Sequence, residues 1–302
     1  MHFPKKNING ILLLDKSPGI TSNGALQQVK RLFQAKRAGH TGSLDPIATG
    51  MLPICFGEAT KFSQFLLDSD KYYYVTARLG KRTATGDVEG EVISERSFAH
   101  VTQEKMGQTL RPFHGKVEQV PPMFSALKYK GKPLYELARQ GIEVVREPRS
   151  IHIHSLELES VQEDLFRFHI HCSKGTYVRT LVDDVGEILN CGAHVVELRR
   201  SAVAPYTSCP MYTLTVLEEI HRQEGADALH RLLLPVETSV AGFPGVILST
   251  SAAFYIRMGQ PVRVTNAPSQ GFVRLIIGDD QRFLGMGEML EDYRVKPKRM
   301  VV

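Results

Sequence analysis

Two segments of alternating apolar and polar residues constrain the fold of this 302-residue chain most strongly. They comprise residues 151–158 and 165–172. A period of two places successive side chains on opposite faces of a strand. The pattern therefore predicts two strands, each with one buried face and one face that is solvated or in contact with a partner.

Three further segments have strand character. An apolar run at residues 10–14 predicts a buried strand. Residues 72–79 and 90–95 predict two more strands, joined by a threonine- and glycine-rich link that contains Asp87. Sheet structure is therefore expected in both the first and the middle part of the chain.

Helical spacing of apolar residues predicts two helices among these strands. One begins after a cap at Ser22 or Asn23, and the other begins after Thr176. Arg179 falls in the first turn of the second helix, next to its buried stripe. An arginine at such a place is usually a surface residue, and a functional role requires a carboxylate that it can meet.

One loop sets a single carboxylate, Asp45, among glycines, a histidine and prolines between residues 37 and 61. Pro46 disfavours helical geometry at Asp45, and nearby glycines permit unusual backbone angles and close approaches. The glycines are Gly39, Gly42 and Gly50. An aspartate in such a loop often only closes a turn. The alternative is a site that a large substrate can approach.

Length and charge set wide limits. The chain is long enough for one large domain with a smaller one. Its formal net charge of +5 is too small to indicate a nucleic-acid partner by itself, so clusters of cations must supply that evidence. Two basic clusters are present, one within residues 120–149 and one at the end of the chain. Each is either solvated surface or an RNA contact.

The cysteines and histidines predict a reduced protein without a metal site. No CxxC pair occurs, and neither an export signal nor a membrane-spanning segment is apparent, so four reduced thiols in a cytoplasmic protein are expected. The pairs His152/His154 and His169/His171 suit zinc, but no third ligand follows at a useful spacing. We therefore predict ordinary strand histidines.

Four ordered motifs resemble those of the TruB-type tRNA pseudouridine synthases. The pattern HxGxLDPxAxG, from His40 to Gly50, resembles the catalytic loop of that family. YYYVTARLGKRTATGDVEG, CSKGTYVRTLVDDVG and GAHVVELRR resemble the second, third and fourth motifs. They contain Tyr73, Arg179 and Leu198 respectively. The resemblance runs from about residue 9 to residue 206 and continues weakly to the end.

The resemblance implies a fold and a division into domains. The expected fold class is α+β, with a mixed, largely antiparallel central sheet, flanking helices and a small C-terminal PUA-like β-module. Residues 1–242 are expected to form the catalytic domain, and an inserted RNA-binding thumb is expected at about residues 120–149. Residues 243–302 are expected to form the PUA-like domain, with a helix near residues 251–258 and strands after it.

The resemblance also implies site residues and a reaction. Asp45 is the expected catalytic carboxylate, His40 is expected to fill the gap that a flipped base leaves, and neither metal nor cofactor is needed. The active-site support is expected from Tyr73, Tyr177, Arg179 and Leu198. The RNA-binding cations are expected to be Lys128, Lys130, Lys132, Arg139, Arg149, Arg294, Lys296, Lys298 and Arg299. The implied substrate is uridine 55 in the T arm of tRNA, and the implied protein is a cytoplasmic monomer without an obligate protein partner.

Residue types leave several alternatives open. Asp45 can add to the sugar, add to the base or remove a sugar proton, and Tyr73 can stack on the base or act as a general base. A hydrolytic glycosidase that uses Asp45 with Asp87 is one rival, because paired carboxylates can split glycosidic bonds. An RNA-binding or tRNA-folding protein without catalysis is the second rival.

Overall fold

The computed structural model describes residues 5–278 and 280–301. Within these residues, the chain forms two compact units. One unit comprises the chain up to Leu44, Leu52–Asp68 and the chain from Ala204 onward, and the other comprises Asp45–Met51 and Ser69–Val203. No helix in the described ranges is both long and apolar enough to cross a membrane.

The strands are β1 (Gly10–Lys16), β2 (Ala38–His40), β3 (Thr49–Phe56), β4 (Lys71–Leu79), β5 (Lys81–Thr83), β6 (Val92–Glu95), β7 (Gly115–Gln119), β8 (Lys128–Tyr129), β9 (Lys132–Pro133), β10 (Arg149–Gln162), β11 (Leu165–Cys172), β12 (Ala193–Val203), β13 (Tyr212–Thr213), β14 (Gly245–Leu248), β15 (Val262–Arg263), β16 (Gly271–Ile277), β17 (Arg282–Met289) and β18 (Arg294–Met300). The helices are α1 (Ser22–Leu32), α2 (Ser63–Leu67), α3 (Gln103–Leu110), α4 (Leu134–Arg139), α5 (Val178–Ile188), α6 (Leu214–Glu224) and α7 (Thr250–Arg257).

The middle unit is built on a mostly antiparallel sheet. From β12 the order continues through β4, β11 and β10 to β7, and each of these neighbours is antiparallel. The first residues of β3 add a short parallel pairing to β12. Helix α5 packs on β12 and α3 packs near β10. The alternation predicted for β10 and β11 is confirmed, because their apolar residues are buried and their histidines are more exposed.

The other unit contains the N-terminal strand and the C-terminal sheet. Strand β1 pairs in parallel with β13, and β2 pairs with the later part of β3. The C-terminal sheet has the order β14-β16-β17-β18-β15 and packs against α7. Its core comprises Val246, Leu248, Ala253, Ile256, Val273, Leu275, Leu284, Met289 and Val295. A second apolar cluster connects this module to the region of α2 through the Phe65 ring, 5.2 Å from Phe243 and 5.6 Å from Phe272.

The predicted elements are present, one helix cap differs, and several further strands and helices were not predicted. Thr21 caps α1 through its hydroxyl, so the caps predicted at Ser22 or Asn23 are wrong. The Ser22 hydroxyl is instead buried in two hydrogen bonds to the backbone of Leu44. Strand β5 was not predicted, although it pairs with β6. Strand β18 was not predicted either, because its lysines and arginines conceal a strand pattern in which Val295 alone is fully buried.

Candidate active site

The backbone of the Asp45 loop is a turn that leads directly into β3. The amide of Ala48 donates to the carbonyl of Asp45 at 3.1 Å, with Pro46 as the second residue of the turn. Pro46 fixes its own φ near the value that this position needs. The turn and the carboxylate therefore belong together: Asp45 closes the turn with its backbone, and its side chain remains available for other contacts.

Gly50 allows β3 to approach β12 closely. It has a φ of +96°, and a Cβ at this position would lie 2.2 Å from the carbonyl oxygen of Arg200, its partner in β12. Any side chain there would push the two strands apart. Gly42 also has a positive φ, of 84°. Gly39 has neither a positive φ nor a close neighbour, so the special role predicted for it is wrong.

A two-point contact joins Asp45 to Arg179. The guanidinium Nε lies 2.8 Å from one carboxylate oxygen, and Nη2 donates to the other at 3.2 Å. The Arg179 side chain is 5% exposed, whereas that of Asp45 is 36% exposed. The predicted contact is therefore present. The buried guanidinium contacts the carboxylate from the protein interior, and the carboxylate is partly accessible to solvent.

Further acceptors surround the Arg179 guanidinium. Nη1 donates to the carbonyl of Thr85 at 2.7 Å, and Nη2 donates to the carbonyl of Phe124 at 2.8 Å. The carboxylate of Asp87 lies 3.7 Å from Nη1 and is itself buried. A planar guanidinium with acceptors on several sides cannot rotate without breaking hydrogen bonds. The orientation of Arg179 towards Asp45 is thus fixed by the link before β6 and by the segment after β7.

Asp87 has a structural position in this cluster. One of its carboxylate oxygens accepts hydrogen bonds from the Thr85 hydroxyl at 2.5 Å and from the amide of Glu89 at 3.1 Å. Its second oxygen faces Arg179. These contacts place the carboxylate inside the turn between β5 and β6, where it supports Arg179.

Tyr73 and Arg200 form a second pair on neighbouring strands. They are directly opposite each other in the pairing of β4 with β12, and the guanidinium hydrogen-bonds to the phenol. Burial raises the pKa of Tyr73, and the neighbouring Arg200 opposes that rise. Arg200 is buried, and its Nε donates to the carbonyl of Met51 at 2.7 Å. Leu198, two residues earlier on β12, is also buried.

Arg200 was missed as a site residue by the sequence interpretation. It lies within the GAHVVELRR motif, but two successive arginines on a strand are easily taken as surface charges. The usable signal was strand periodicity, because adjacent residues of a strand point to opposite faces. One arginine of the pair therefore has to point to the buried face, and it is Arg200, which is buried like Leu198, whereas Arg199 is only half-buried.

Tyr177 and Gln119 fix the beginning of α5. The amide of Tyr177 donates to the side-chain oxygen of Gln119 at 2.8 Å, and the Gln119 side-chain nitrogen donates to the carbonyl of Tyr177 at 3.1 Å. Burial raises the pKa of Tyr177. Gln119 is buried and ends β7. The Gln119 side chain therefore connects α5, which carries Arg179, to β7, the strand before the predicted thumb. No local pattern in the sequence predicts this contact.

His40 lies in the unit that contains the chain termini. It is the last residue of β2 and pairs with Ile54 of β3. Its ring is partly buried. The role predicted for it in base flipping stays a prediction.

The predicted thumb contains a small hairpin and a short helix. Strands β8 and β9 are joined through Lys130 and Gly131, both with positive φ. The ammonium of Lys130 lies 5.3 Å from the centre of the Tyr129 ring. Arg139, in α4, lies 5.5 Å from the centre of the Tyr135 ring. Lys128, Lys130, Lys132, Arg139 and Arg149 are exposed.

The C-terminal cations lie on β18 and have acidic neighbours. Lys296 and Lys298 lie 3.1 and 3.3 Å from the carboxylate of Glu288. Arg294 pairs with Asp292 at 2.7 Å. Hydrogen bonds from the two lysines lower the pKa of Glu288. The basic sequence of this strand is therefore partly neutralised in the fold, whereas Arg299 contacts only a backbone carbonyl among the described contacts.

The face of β4 opposite to Tyr73 carries contacts between aromatic rings. Tyr72 stacks on His171 with ring centres 4.0 Å apart, and Tyr74 meets His169 edge-on at 4.3 Å. Asp70 lies close to His154 and His171. The prediction of ordinary strand histidines considered only residues that follow the pairs in sequence, whereas Asp70 precedes them, and it stays a prediction.

The fold matches that of solved structures over nearly the whole chain. It resembles a solved Cbf5-Nop10-Gar1 complex with a TM-score of 0.74 and 23% sequence identity, over 96% of this chain and 84% of that chain. At this level of identity the likeness shows the fold alone. The predicted α+β class with its C-terminal β-module is confirmed.

Two relatives match nearly the whole chain. A tRNA pseudouridine synthase B from Coxiella burnetii (strain RSA 493 / Nine Mile phase I) is 55% identical over 297 residues, which cover 98% of this chain and 96% of that protein. A tRNA pseudouridine synthase B from Yersinia pestis (strain Pestoides F) is 56% identical over 303 residues, with 98% and 93% covered.

Family models match three consecutive parts of the sequence. Residues 30–178 match the N-terminal domain of the TruB family pseudouridylate synthases, residues 179–241 match the C-terminal domain of tRNA pseudouridylate synthase B, and residues 244–301 match the C-terminal part of pseudouridine synthase II TruB. The chain belongs to the TruB family of pseudouridine synthases. The enzyme class predicted from the sequence, an isomerase, is confirmed by this membership.

Proposed function

We propose that this chain isomerises uridine 55 in the T arm of tRNA to pseudouridine, with Asp45 as the catalytic carboxylate and without a cofactor. One observation carries the proposal: the carboxylate of Asp45 is fixed at two points by Arg179 and still has an accessible side. The relatives named tRNA pseudouridine synthase B support the reaction and the class of substrate.

The reaction needs an ionised carboxylate beside the sugar and the base. The bond between ribose C1′ and base N1 breaks, the uracil rotates in place, and a new bond forms from C1′ to C5. C5 then loses its proton, and the nitrogen released from the sugar gains one, so the RNA mass does not change. Enclosing a carboxylate favours its neutral form, and an adjacent guanidinium opposes this effect. Arg179 therefore supports Asp45 in any of the three first steps: addition to the sugar, addition to the base, or removal of a sugar proton.

Tyr73 and Leu198 are proposed to enclose the detached base. A phenol with a raised pKa keeps its proton at neutral pH, and this favours stacking and hydrogen bonding over direct action as a base. A role as general base requires that the phenol proton first pass to another group. Arg200 orients the phenol, and the buried Leu198 supplies apolar surface.

RNA binding is proposed to expose the target nucleotide. Turning a base out of its stack costs a few kcal/mol, so the enzyme must supply favourable contacts in return. His40 is proposed to fill the vacated space, and the thumb cations at residues 128–149 are proposed to contact phosphates. In this proposal residues 1–242 are the catalytic domain, residues 243–302 are an RNA-binding PUA-like domain, and the protein is a cytoplasmic monomer.

The two rival functions have less support. A glycosidase needs a second carboxylate at the reacting bond. Asp87 is the candidate, but its carboxylate is 5% exposed and is occupied by Thr85, Glu89 and Arg179. A protein that only binds RNA has no need for a buried arginine that contacts a partly exposed carboxylate, because such a contact does not increase RNA affinity.

The test is an incubation of the full chain with a T-arm stem-loop, followed by mass spectrometry of the RNA and by nucleoside analysis. We expect an unchanged RNA mass and conversion of one uridine to pseudouridine. Loss of uracil would identify a hydrolase, and unchanged nucleosides would identify a binding protein. A stem-loop with cytidine in place of the target uridine is the matched control, since conversion elsewhere in that RNA would contradict the proposed position.

A further inference from the structure

Three side chains on the histidine-bearing face of the sheet form a cluster that the isomerase reaction does not use. We propose that Asp70, His154 and His171 bind one divalent transition-metal ion, with Zn²⁺ as the best match. The side chains approach one another next to Tyr72, on the face of β4 opposite to Tyr73. The proposed site is therefore separate from the Asp45 loop.

The distances within the cluster are those expected between ligands of one metal ion. Nε2 of His154 and Nε2 of His171 lie 3.2 and 3.5 Å from the same oxygen of Asp70. Hydrogen bonds between charged partners are shorter, at about 2.7–2.9 Å. Ligands of a tetrahedral zinc ion, with bonds of about 2.0–2.2 Å, lie roughly 3.4 Å from one another. Two of the three separations already match this value, and all three ligand atoms lie within 4.8 Å of one another.

Tyr72 orients one ligand. His171 lies directly opposite Tyr72 in the pairing of β11 with β4. The two rings stack with an angle of 11° between their planes. Stacking restricts rotation of the imidazole and leaves its Nε2 directed at Asp70, the residue that immediately precedes β4. Asp70 and His171 are thus brought together by strand pairing, although about a hundred residues separate them.

A β-bulge positions the second histidine. In the pairing of β10 with β11, Ile153 lies opposite Cys172 and Ser155 lies opposite His171, so His154 is the extra residue. A bulge of this kind redirects a side chain and often occurs next to functional sites. The His154 ring lies 4.4 Å from the His171 ring. His154 shares the exposed face of β10 with His152, and the bulge places Ser155 instead of His154 opposite His171.

The donor set and its exposure suit zinc. Imidazole nitrogen and carboxylate oxygen are both zinc ligands, and sites with three protein ligands keep a fourth position for water. The three side chains are between 24% and 37% exposed, which gives a solvated ion access to them. Contact of protonated histidines with RNA phosphate is a different explanation, but an adjacent carboxylate would repel phosphate and attract a cation.

The experiment is a calorimetric titration of the tag-free, chelator-treated full chain with Zn²⁺. Every variant carries Cys209→Ser, because Cys209 is the cysteine with an incompletely buried thiol. We expect one equivalent to bind. His154→Gln should weaken binding by at least about 10–100-fold, the range seen for the loss of groups that merely support zinc ligands. His152→Gln is the matched control, because its ring lies 4.6 Å from that of His154 but is not in the group of three.

A thermal melt with and without Zn²⁺ provides a second readout. Binding to the native state should raise the Tm of the parent and of His152→Gln, but not that of His154→Gln. Unchanged pseudouridine formation by metal-free His154→Gln would show that the variant is folded. Absence of stoichiometric binding, or equal binding by His154→Gln, would overturn the proposal and indicate an adventitious ion only. If His154→Gln bound RNA more weakly than the parent but bound Zn²⁺ equally well, the proposal would also be overturned. The cluster would then be an RNA contact.

Discussion

The active-site cluster and the thumb both use cations, but they hold them in opposite ways. Arg179 is buried and has carboxylate and carbonyl acceptors on several sides. Lys128, Lys130 and Lys132 project from a small hairpin into solvent, and no carboxylate within the described chain forms an ion pair with any of them. The guanidinium of Arg179 is therefore held in one orientation, whereas the ammonium groups of the thumb lysines can reorient in solvent.

This difference separates catalysis from affinity. A buried guanidinium acts through geometry, and removing a partner leaves part of its buried charge uncompensated. Exposed lysines attract phosphates over several ångströms, lose side-chain entropy when they are ordered, and are screened by salt. Changes in the cluster should therefore lower kcat, whereas changes in the thumb should raise KM and alter its salt dependence.

The largest effect is expected for Asp45→Asn, which preserves size and removes the charge. We expect pseudouridine formation to fall by more than about a hundredfold, the lower end of what acid–base groups contribute. RNA affinity should remain close to that of the parent. Single-turnover rates and filter binding measure the two quantities. A variant that kept more than about a hundredth of the rate would exclude Asp45 from the chemistry.

Arg179→Lys should have the second largest effect on kcat, although it conserves the charge. Lysine has no planar fork and cannot contact both oxygens of Asp45 while it serves the carbonyls of Thr85 and Phe124. We expect kcat to fall by about tenfold or more, equivalent to about 1.4 kcal/mol of barrier. Arg78→Lys, in an exposed ion pair with Asp164, is the control and should be neutral. Equal rates for both variants would show that the two-point contact is irrelevant.

Gln119→Leu tests the connection between the two regions. The amide bonds to both backbone groups of Tyr177 at the start of α5. Its loss leaves the Tyr177 amide unpaired at about 1–3 kcal/mol, whereas the carbonyl still accepts from the amide of Leu181. Because the amide of Tyr177 alone loses its partner, we expect a reduction of kcat by up to about tenfold, with a lower Tm and a nearly unchanged KM. Gln108→Leu, on the exposed side of α3, is the control. An altered KM with a constant kcat would place Gln119 in RNA binding instead.

The thumb is tested by replacing Lys128, Lys130 and Lys132 together with alanine. Each lost phosphate contact should reduce the slope of log affinity against log salt by somewhat under about one unit. The matched control removes three exposed cations near α3, namely Lys105, Arg111 and Lys116. If both triple variants changed the slope equally, the thumb lysines would contribute only to the general positive charge of the protein. The thumb would then not be a specific RNA-binding segment.

The smallest effect is expected at the C-terminal strand. Changing its four cations to glutamine should raise KM by less than the thumb variant does, because Glu288 already compensates two of them, and kcat should stay nearly constant. The cations are Arg294, Lys296, Lys298 and Arg299.

Glu288→Gln is the converse change. Removing the carboxylate frees the charges of Lys296 and Lys298, so KM should fall. Steady-state kinetics with a check of the melting temperature measures both variants. A large loss of kcat in the four-cation variant, with an unchanged Tm, would show that this strand helps to build the active state.

Regular elements with a clear period were predictable. Strands β10 and β11 and helix α5 followed from spacing alone, because one buried face repeats every two residues in a strand and every three to four in a helix. The predicted first turn of α5 placed Arg179 correctly. The local motif also identified the single carboxylate in the glycine-containing loop. Strand β18 was less predictable, since its solvated face contains mostly lysine and arginine.

The sequence by itself determined which residue types are available: one carboxylate before a proline, an arginine at the start of an apolar helix, and basic runs near both proposed RNA surfaces. Only the tertiary structure decided which of them meet. Arg200 lies inside because it falls on the buried face of β12, and Gln119 reaches Tyr177 across a gap of 58 residues. Asp70 approaches two histidines through strand pairing and a bulge. Periodicity reports the direction of a side chain relative to its own element, whereas contacts between distant elements depend on register and packing, which no local pattern contains.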